Sequence, residues 1–277
     1  QIVLPIEERA NIQATVATAG QENVAEDKLG ILEPLRASLV LAQAGASYMT
    51  GLVGNVSIPV YSGSNVGWAG EVTAASDGAG TFSEVNLEPK RLTAYIDVSK
   101  QFLIQDSNSA EEMLKRDIVS AISNKLEATI LGTAAGSATQ PAGLLNGVTA
   151  DTAAVTYTDF VNMEATLGEK NVRGDIKFIV SPSAKAVLKS TAKNQNSFIM
   201  EGNEVNGYPV LCTSAVAGKG IVYGNFADLV IGQWGGIDLT VDPYTQAANG
   251  KVRLVINAYF DAKPRRAEAF VKKVLKA

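Results

Sequence analysis

The 277-residue sequence predicts an α+β fold: one long helix, strands before and after it in the chain, and an α/β region of its own. Three observations predict it. Leu114, Ile118, Ile122, Leu126 and Ile130 recur every four residues, which places them on one helix face. The ends of segment 56–92, and the segments 92–98 and 236–264, alternate apolar and polar side chains with the period of half-buried strands. Residues 141–234 mix short apolar runs with short helical patterns punctuated by Pro and Gly.

The elements follow in chain order. Residues 1–30 carry little periodicity, and "QATVATAGQENVAED" reads as an extended arm that needs partners to become ordered. In "ILEPLRASLV", Pro34 suits the start of a short helix. Segment 56–92 reads as a long two-stranded hairpin whose middle, residues 62–80, is a flexible cluster of Gly, Ser, Ala and Asp. A lone hairpin is marginally stable in water, so a neighbouring molecule is its natural support. Leu92, Ala94, Ile96 and Val98 then mark one buried face of a strand.

The long helix follows, with Asn108 or Ser109 as its cap and Gly132 as its stop. Met113 and Ala121 widen its apolar stripe. Ser120, Asn124 and Glu127 fall mainly on the polar side. At 1.5 Å per residue it forms a rod of roughly 35 Å. Beyond it, "YTDFVNMEATLGEK" reads as a helix capped by Thr158 or Asp159. "IKFIVSP" reads as a strand, and "SPSAKAVLKSTAK" as a helix with Pro182 near its start. "YPVLCTS", "GIVYGNF" and "LVIGQW" read as short strands. "GIDLTVDPY" and "KVRLVINAYFDAKP" read as two more, joined through a turn at Asn249-Gly250.

Composition narrows the chemistry. The chain has no histidine, which removes Ser-His-Asp and Cys-His catalysis within one chain. Its single cysteine rules out an internal disulfide framework and a Cys-rich zinc site. A net charge of −4 argues against a dedicated nucleic-acid binder. No run of 18 apolar residues is present to cross a membrane as a helix. Charged residues are 19% of the chain and apolar ones 46%, the balance of a protein whose surface is partly used in contacts with other chains.

The candidate sites reduce to structure. "VAGKGIVYGNF" lacks the first Gly and the Ser/Thr of a phosphate loop. Its glycines also miss the dinucleotide spacing, so "AGKG" reads as a β-turn between two strands. Cys212 has no base to make it a nucleophile and reads as a buried structural residue. Neighbouring carboxylates such as Glu7-Glu8 do not face each other on a helix. The run "KPRRAEAF" offers Arg265 and Arg266 to acidic neighbours or to nucleic acid, or simply to solvent. Trp234 reads as core, and Trp68 as an interface anchor on the hairpin.

The order of elements carries a resemblance. "TFSEVNLEPKRLTAYIDVSKQFLIQDS" followed by "QDSNSAEEMLKRDIVSAISNKLEATIL" resembles the passage from E-loop to P-domain strand to spine helix in the HK97-like major capsid proteins of tailed bacteriophages. "QPAGLLN" and "NGYPVLCTSAVAGKGIVYGNFADLVIGQWGGIDLTVD" are similar to that family's post-helix stretch and A-domain strands. The resemblance runs from about residue 50 to the end.

It implies an HK97-like fold with an N-terminal arm (1–46), an E-loop (55–85), a P-domain (47–54, 86–140 and 238–277) and an A-domain (141–237). It also implies a non-enzymatic subunit of hexamers and pentamers, forming an icosahedral or prolate virion shell assembled in the host bacterial cytoplasm. Expected partners are the portal, a head protease, a possible decoration protein and packaged double-stranded DNA held without sequence specificity. No cofactor is expected. A start at Gln1 fits removal of an N-terminal scaffolding segment.

Contact candidates between subunits are Glu7, Glu8, Arg9, Tyr61, Trp68, Glu71, Phe82, Arg265 and Arg266. The E-loop middle contains no lysine, and Asn257 stands near the place of the family's cross-linking glutamate, so no isopeptide bond is expected. An encapsulin-like nanocompartment shell is the alternative with the same fold. A hydrolase or nucleotide-binding enzyme is disfavoured by the missing histidines and failed phosphate motifs.

Overall fold

A computed structural model of the chain describes residues 40–101 and 109–276. The expected arm, residues 1–30, and the expected helix start at Pro34 lie outside them, as does Asn108. The described chain opens with α1 (Val40–Ala44) and β1 (Ser47–Met49). The expected hairpin follows as β2 (Val56–Tyr61) and β3 (Phe82–Leu87), paired antiparallel from Val56↔Leu87 to Tyr61↔Phe82. Strand β4 (Lys90–Ser99) then leads to the long helix α2 (Ser109–Ile130). After α2 come α3 (Tyr157–Glu169), β5 (Ile176–Val180) and α4 (Pro182–Ser190). A small pair, β6 (Ala192–Asn194) and β7 (Ser197–Phe198), precedes β8 (Glu204–Val205), β9 (Tyr208–Cys212) and β10 (Gly220–Asn225). The chain ends with β11 (Leu229–Asp242), β12 (Lys251–Pro264) and β13 (Phe270–Val274).

Two main sheets result. The first has the order β1-β11-β12-β4, and the second β13-β10-β5-β9-β8. The long helix packs on the first: Ile118, Ile122, Leu126 and Ile130 are buried in one cluster with Ile231, Ile256, Ala258 and Phe260. Leu92 and Ile96 pack against the same cluster from β4, as their alternation requires. The second sheet is buried on both faces. Phe178, Val180, Ile221 and Tyr223 face α3 and α4, joined by Phe160, Met163 and Leu188. Ile179 and Val222, one residue out of step, belong to the cluster under the long helix. This is why "IKFIV" and "GIVY" are near-continuous apolar runs rather than alternating ones. Within it, Phe178 stacks on Tyr223 with centroids 4.1 Å apart.

Several local expectations change. Helix α3 is capped two residues before Thr158 and three before Asp159, the expected caps. Thr156 is the N-cap residue, and the Asp159 carboxylate accepts its backbone N–H at 2.7 Å. Helix α4 starts as expected: the Ser181 hydroxyl accepts the Ala184 N–H, with Pro182 in the first turn. Strands β9 and β10 are joined through a turn in which Gly220 N–H donates to Ala217 O, but they do not pair with each other. Strand β5 lies between them, parallel to β9 and antiparallel to β10. The tight hairpin is instead β8–β9, turned at Asn206 and Gly207 with φ of 53° and 81°.

"LVIGQW" and "GIDLTVD" form one strand, not two. The register with β12 slips between Trp234 and Asp238, where Gly235 adopts φ +64°, and pairing resumes on both sides. Cys212 is half-buried rather than enclosed. Ala121 is exposed and does not widen the helix stripe, whereas Glu127 is buried. Strand β13 pairs antiparallel with β10 at the edge of the second sheet, far in sequence from its partner.

Candidate inter-subunit surfaces

The hairpin has its own apolar base, but no described residue covers its end. Leu87, Val230 and Trp234 form a small buried cluster, with Met49, Leu52, Val56 and Ile58 packed on it. The Trp234 indole N–H donates to Gly54 O at 2.6 Å. At the last register pair the rings of Tyr61 and Phe82 meet with centroids 4.7 Å apart. The ladder persists loosely into the tip through Ser62 N–H to Thr81 O and Asn65 N–H to Gly78 O, both 3.0 Å. A side chain at Gly80 would meet Gly63 O at 2.1 Å, so only glycine lets the two arms approach there. At the end, Val66, Trp68 and Val72 are at least 90% exposed, and Phe82 is 77% exposed. These exposed apolar side chains make the hairpin end a candidate contact surface.

The outer face of the first sheet is the second surface. Side chains of β12 that point away from the long helix include Arg253, Asn257 and Tyr259, opposite Asp97, Thr93 and Arg91 of β4. Arg253 grips Asp97 bidentately, Nε to Oδ1 at 2.7 Å and Nη2 to Oδ2 at 2.9 Å. Its guanidinium also stacks 4.3 Å over the ring of Tyr95. Those guanidinium bonds hold the Asp97 carboxyl below the usual carboxylate range. Tyr95 stands exposed beside this pair.

Two junctions tie the parts together. Lys273 of β13 bridges Asp151 at 2.9 Å and Asp159 at 3.0 Å. Partial burial pulls its ammonium down, but the two carboxylates outweigh this and hold it above the ordinary lysine range. On the long helix, burial pushes the Glu127 carboxyl up, opposed by hydrogen bonds from the Thr213 hydroxyl and the Val40 backbone. Glu127 thereby links the helix, the segment after β9 and the start of α1. Its Oε1 has no hydrogen-bond partner.

Of the contact candidates read from sequence, Glu7, Glu8 and Arg9 lie outside the described residues. The hairpin brings Tyr61 and Phe82 together and carries Trp68 and Glu71 at its exposed end. Arg265 and Arg266 belong to a different element, the exposed crossing between β12 and β13. Tyr95, Arg253, Lys90, Asp261 and Glu127 were not singled out by the sequence. Only the strand alternation around Arg253 and Asp97 carried a signal for any of them. Among the described residues no group of three His, Cys, Asp or Glu side chains is placed to hold a metal ion, and no helix is long and apolar enough to cross a membrane.

A family model described as the phage capsid family matches residues 27–275. The chain belongs to the phage capsid family. A relative in this family, the major capsid protein of Halomonas phage phiHAP-1, is 30% identical over 251 residues. That match covers 86% of this chain and 41% of the relative, so the chain spans about two fifths of that protein's length. The fold of this capsid-family chain also recurs in solved structures. The capsid of a native GTA particle superposes with a TM-score of 0.70 at 18% identity, covering 96% of this chain and 99% of that one. Mycobacterium phage Bobi gives 0.68 at 14% identity, with 86% and 91% covered. The architecture is therefore the α+β, HK97-like capsid fold that the order of elements suggested. The relatives of this phage capsid chain are structural proteins and not enzymes, and they do not favour the nanocompartment alternative.

Proposed function

We propose that this protein is the major subunit of a tailed-phage head, self-assembling through hexamers and pentamers into an icosahedral or prolate shell around double-stranded DNA. Membership of the phage capsid family over residues 27–275 carries the reading. The exposed apolar hairpin tip supports it, because Val66, Trp68 and Val72 are covered by none of the described residues. In this reading residues 55–85 are the E-loop, which lies on a neighbouring subunit. Tyr61, Trp68, Glu71 and Phe82 are its contact residues.

Residues 47–54, 86–140 and 238–277 form the P-domain, apart from β13, which joins the other sheet. Residues 141–237 form the A-domain, and β13 completes its sheet. Residues 1–46 are an arm in which Glu7, Glu8 and Arg9 meet neighbours, and Arg265 and Arg266 serve the same role at the sheet crossing. Portal, head protease and a decoration protein are the further partners. DNA contact is non-specific, in keeping with the net charge of −4. The shell holds without isopeptide bonds, since residues 62–82 offer no lysine. The mature protein resides in the virion after assembly in the host cytoplasm.

Electron microscopy of the purified protein tests this directly. Closed shells or capsomer rings are the expected result. Soluble monomers under all conditions contradict the reading.

A further inference from the structure

A buried charge stands where the hairpin leaves the first sheet. Asp261, at the end of the β4–β12 pairing, is wholly inaccessible. Its Oδ1 accepts the Ala262 N–H at 3.0 Å. Its Oδ2 accepts the Glu88 N–H at 3.1 Å and lies 3.3 Å from the Lys90 ammonium, itself only 9% exposed. Glu88 and Lys90 flank Pro89 in the corner through which β3 turns into β4. Pro89 fixes its own φ and restricts Glu88, so the corner has few conformations to choose from. Two further bonds reach the hairpin from the same sheet: Lys263 Nζ to Asn86 O at 2.5 Å and Trp234 Nε1 to Gly54 O.

We propose that Asp261 is the positioning residue of the hairpin: by holding Glu88 and Lys90 in the β3–β4 corner, it fixes the angle at which the hairpin projects and hence where its tip meets a second copy of the chain. The apolar base alone does not define that angle. Leu87, Val230 and Trp234 make a small, non-directional contact, whereas the Asp261 bonds are directional and shielded from water. A charge pair with so little access to solvent is weak evidence of added stability and better evidence of a specified geometry. The inference rests on the reading of the hairpin as an inter-subunit clasp only for its last step, the meeting with a second copy.

The test separates the two. In a Cys212→Ser background, nitroxides at Ser83→Cys on β3 and Thr240→Cys on β11, both exposed positions, report the hairpin-to-sheet distance in unassembled full-length subunits. Asp261→Asn keeps an acceptor for Glu88 but leaves Lys90 unpaired. Lys90→Met/Asp261→Leu removes the clamp without leaving a buried charge, and keeps the test open where Asp261→Asn fails to fold. The expected result is a narrow distance distribution in the parent that shifts or at least doubles in width in the folded variants, whose shells are then absent or aberrant. An unchanged distribution in the folded double variant overturns the proposal. A broadened distribution with normal shells upholds the positioning role of Asp261 and instead overturns the clasp reading.

Discussion

The five-stranded sheet and the β2–β3 hairpin are built from similar residues yet are completed in opposite ways. In the sheet, Phe178 and Tyr223 are covered from one side by α3 and α4, while Ile179 and Val222 are covered from the other by the cluster under the long helix. In the hairpin, Trp68 and Val72 are covered by none of the described residues and Phe82 is largely exposed, and only the base has a small core. Large apolar side chains thus sit in two different settings. Where the chain supplies both faces, burial stabilises the subunit at about 25 cal/mol per Å² of apolar surface. Where it supplies only a base, the proposed function assigns the same surface to association.

The difference can be broken most forcefully in the sheet. Phe178→Ala removes a fully enclosed ring stacked on Tyr223 and is expected to cost about 3–5 kcal/mol of subunit stability. Denaturant unfolding of unassembled subunits measures it. A loss below about 1 kcal/mol would mean that the sheet is not the subunit's core.

A smaller effect is expected where the helix meets the other elements. Glu127 has its carboxyl pushed up by burial, so the folded state binds its proton more tightly than the unfolded state. Its contribution is therefore full in acid and is lost as pH rises from the ordinary glutamic acid range towards neutrality. Glu127→Gln should then be more stable than the parent at pH 7, and this gain should vanish near pH 4. Melting curves at the two pH values check it. A gain of equal size at both would show that the carboxyl is not desolvated.

The smallest effect on the subunit belongs to the hairpin tip. Trp68→Ala should change subunit stability by no more than about 0.5 kcal/mol, because the side chain touches solvent. The same change should abolish or severely slow shell formation, scored by electron microscopy and sedimentation. Normal shells from Trp68→Ala would end the comparison between sheet and hairpin.

What the sequence made legible was periodic and local. Ile118, Ile122, Leu126 and Ile130 announced the helix and its buried face. The flanks of residues 62–81 announced a hairpin, on which Tyr61, Trp68, Glu71 and Phe82 do sit. What escaped depends on partners distant in the chain. Glu127 reads as polar-face because a helical pattern cannot foresee that Val40 and Thr213 close over that flank. Strand β13 carries no signal that its partner is β10, some fifty residues earlier by the register Val271↔Tyr223. Asp261 looks like one more polar residue in an alternating strand, and only the fold brings Lys90 to it. The bulge at Gly235 hid the continuity of β11, since a glycine pair reads equally well as a break.

The chain's two tryptophans allow the most direct test of the central claim that the hairpin is completed by a neighbour. Trp234 is 7% exposed and Trp68 fully exposed. Acrylamide quenching of tryptophan fluorescence should resolve an accessible and a protected class in unassembled subunits. After assembly the accessible class should disappear, with a blue shift, while Trp234 stays unchanged. A shell in which Trp68 remains as open to acrylamide as in the free subunit would contradict the account.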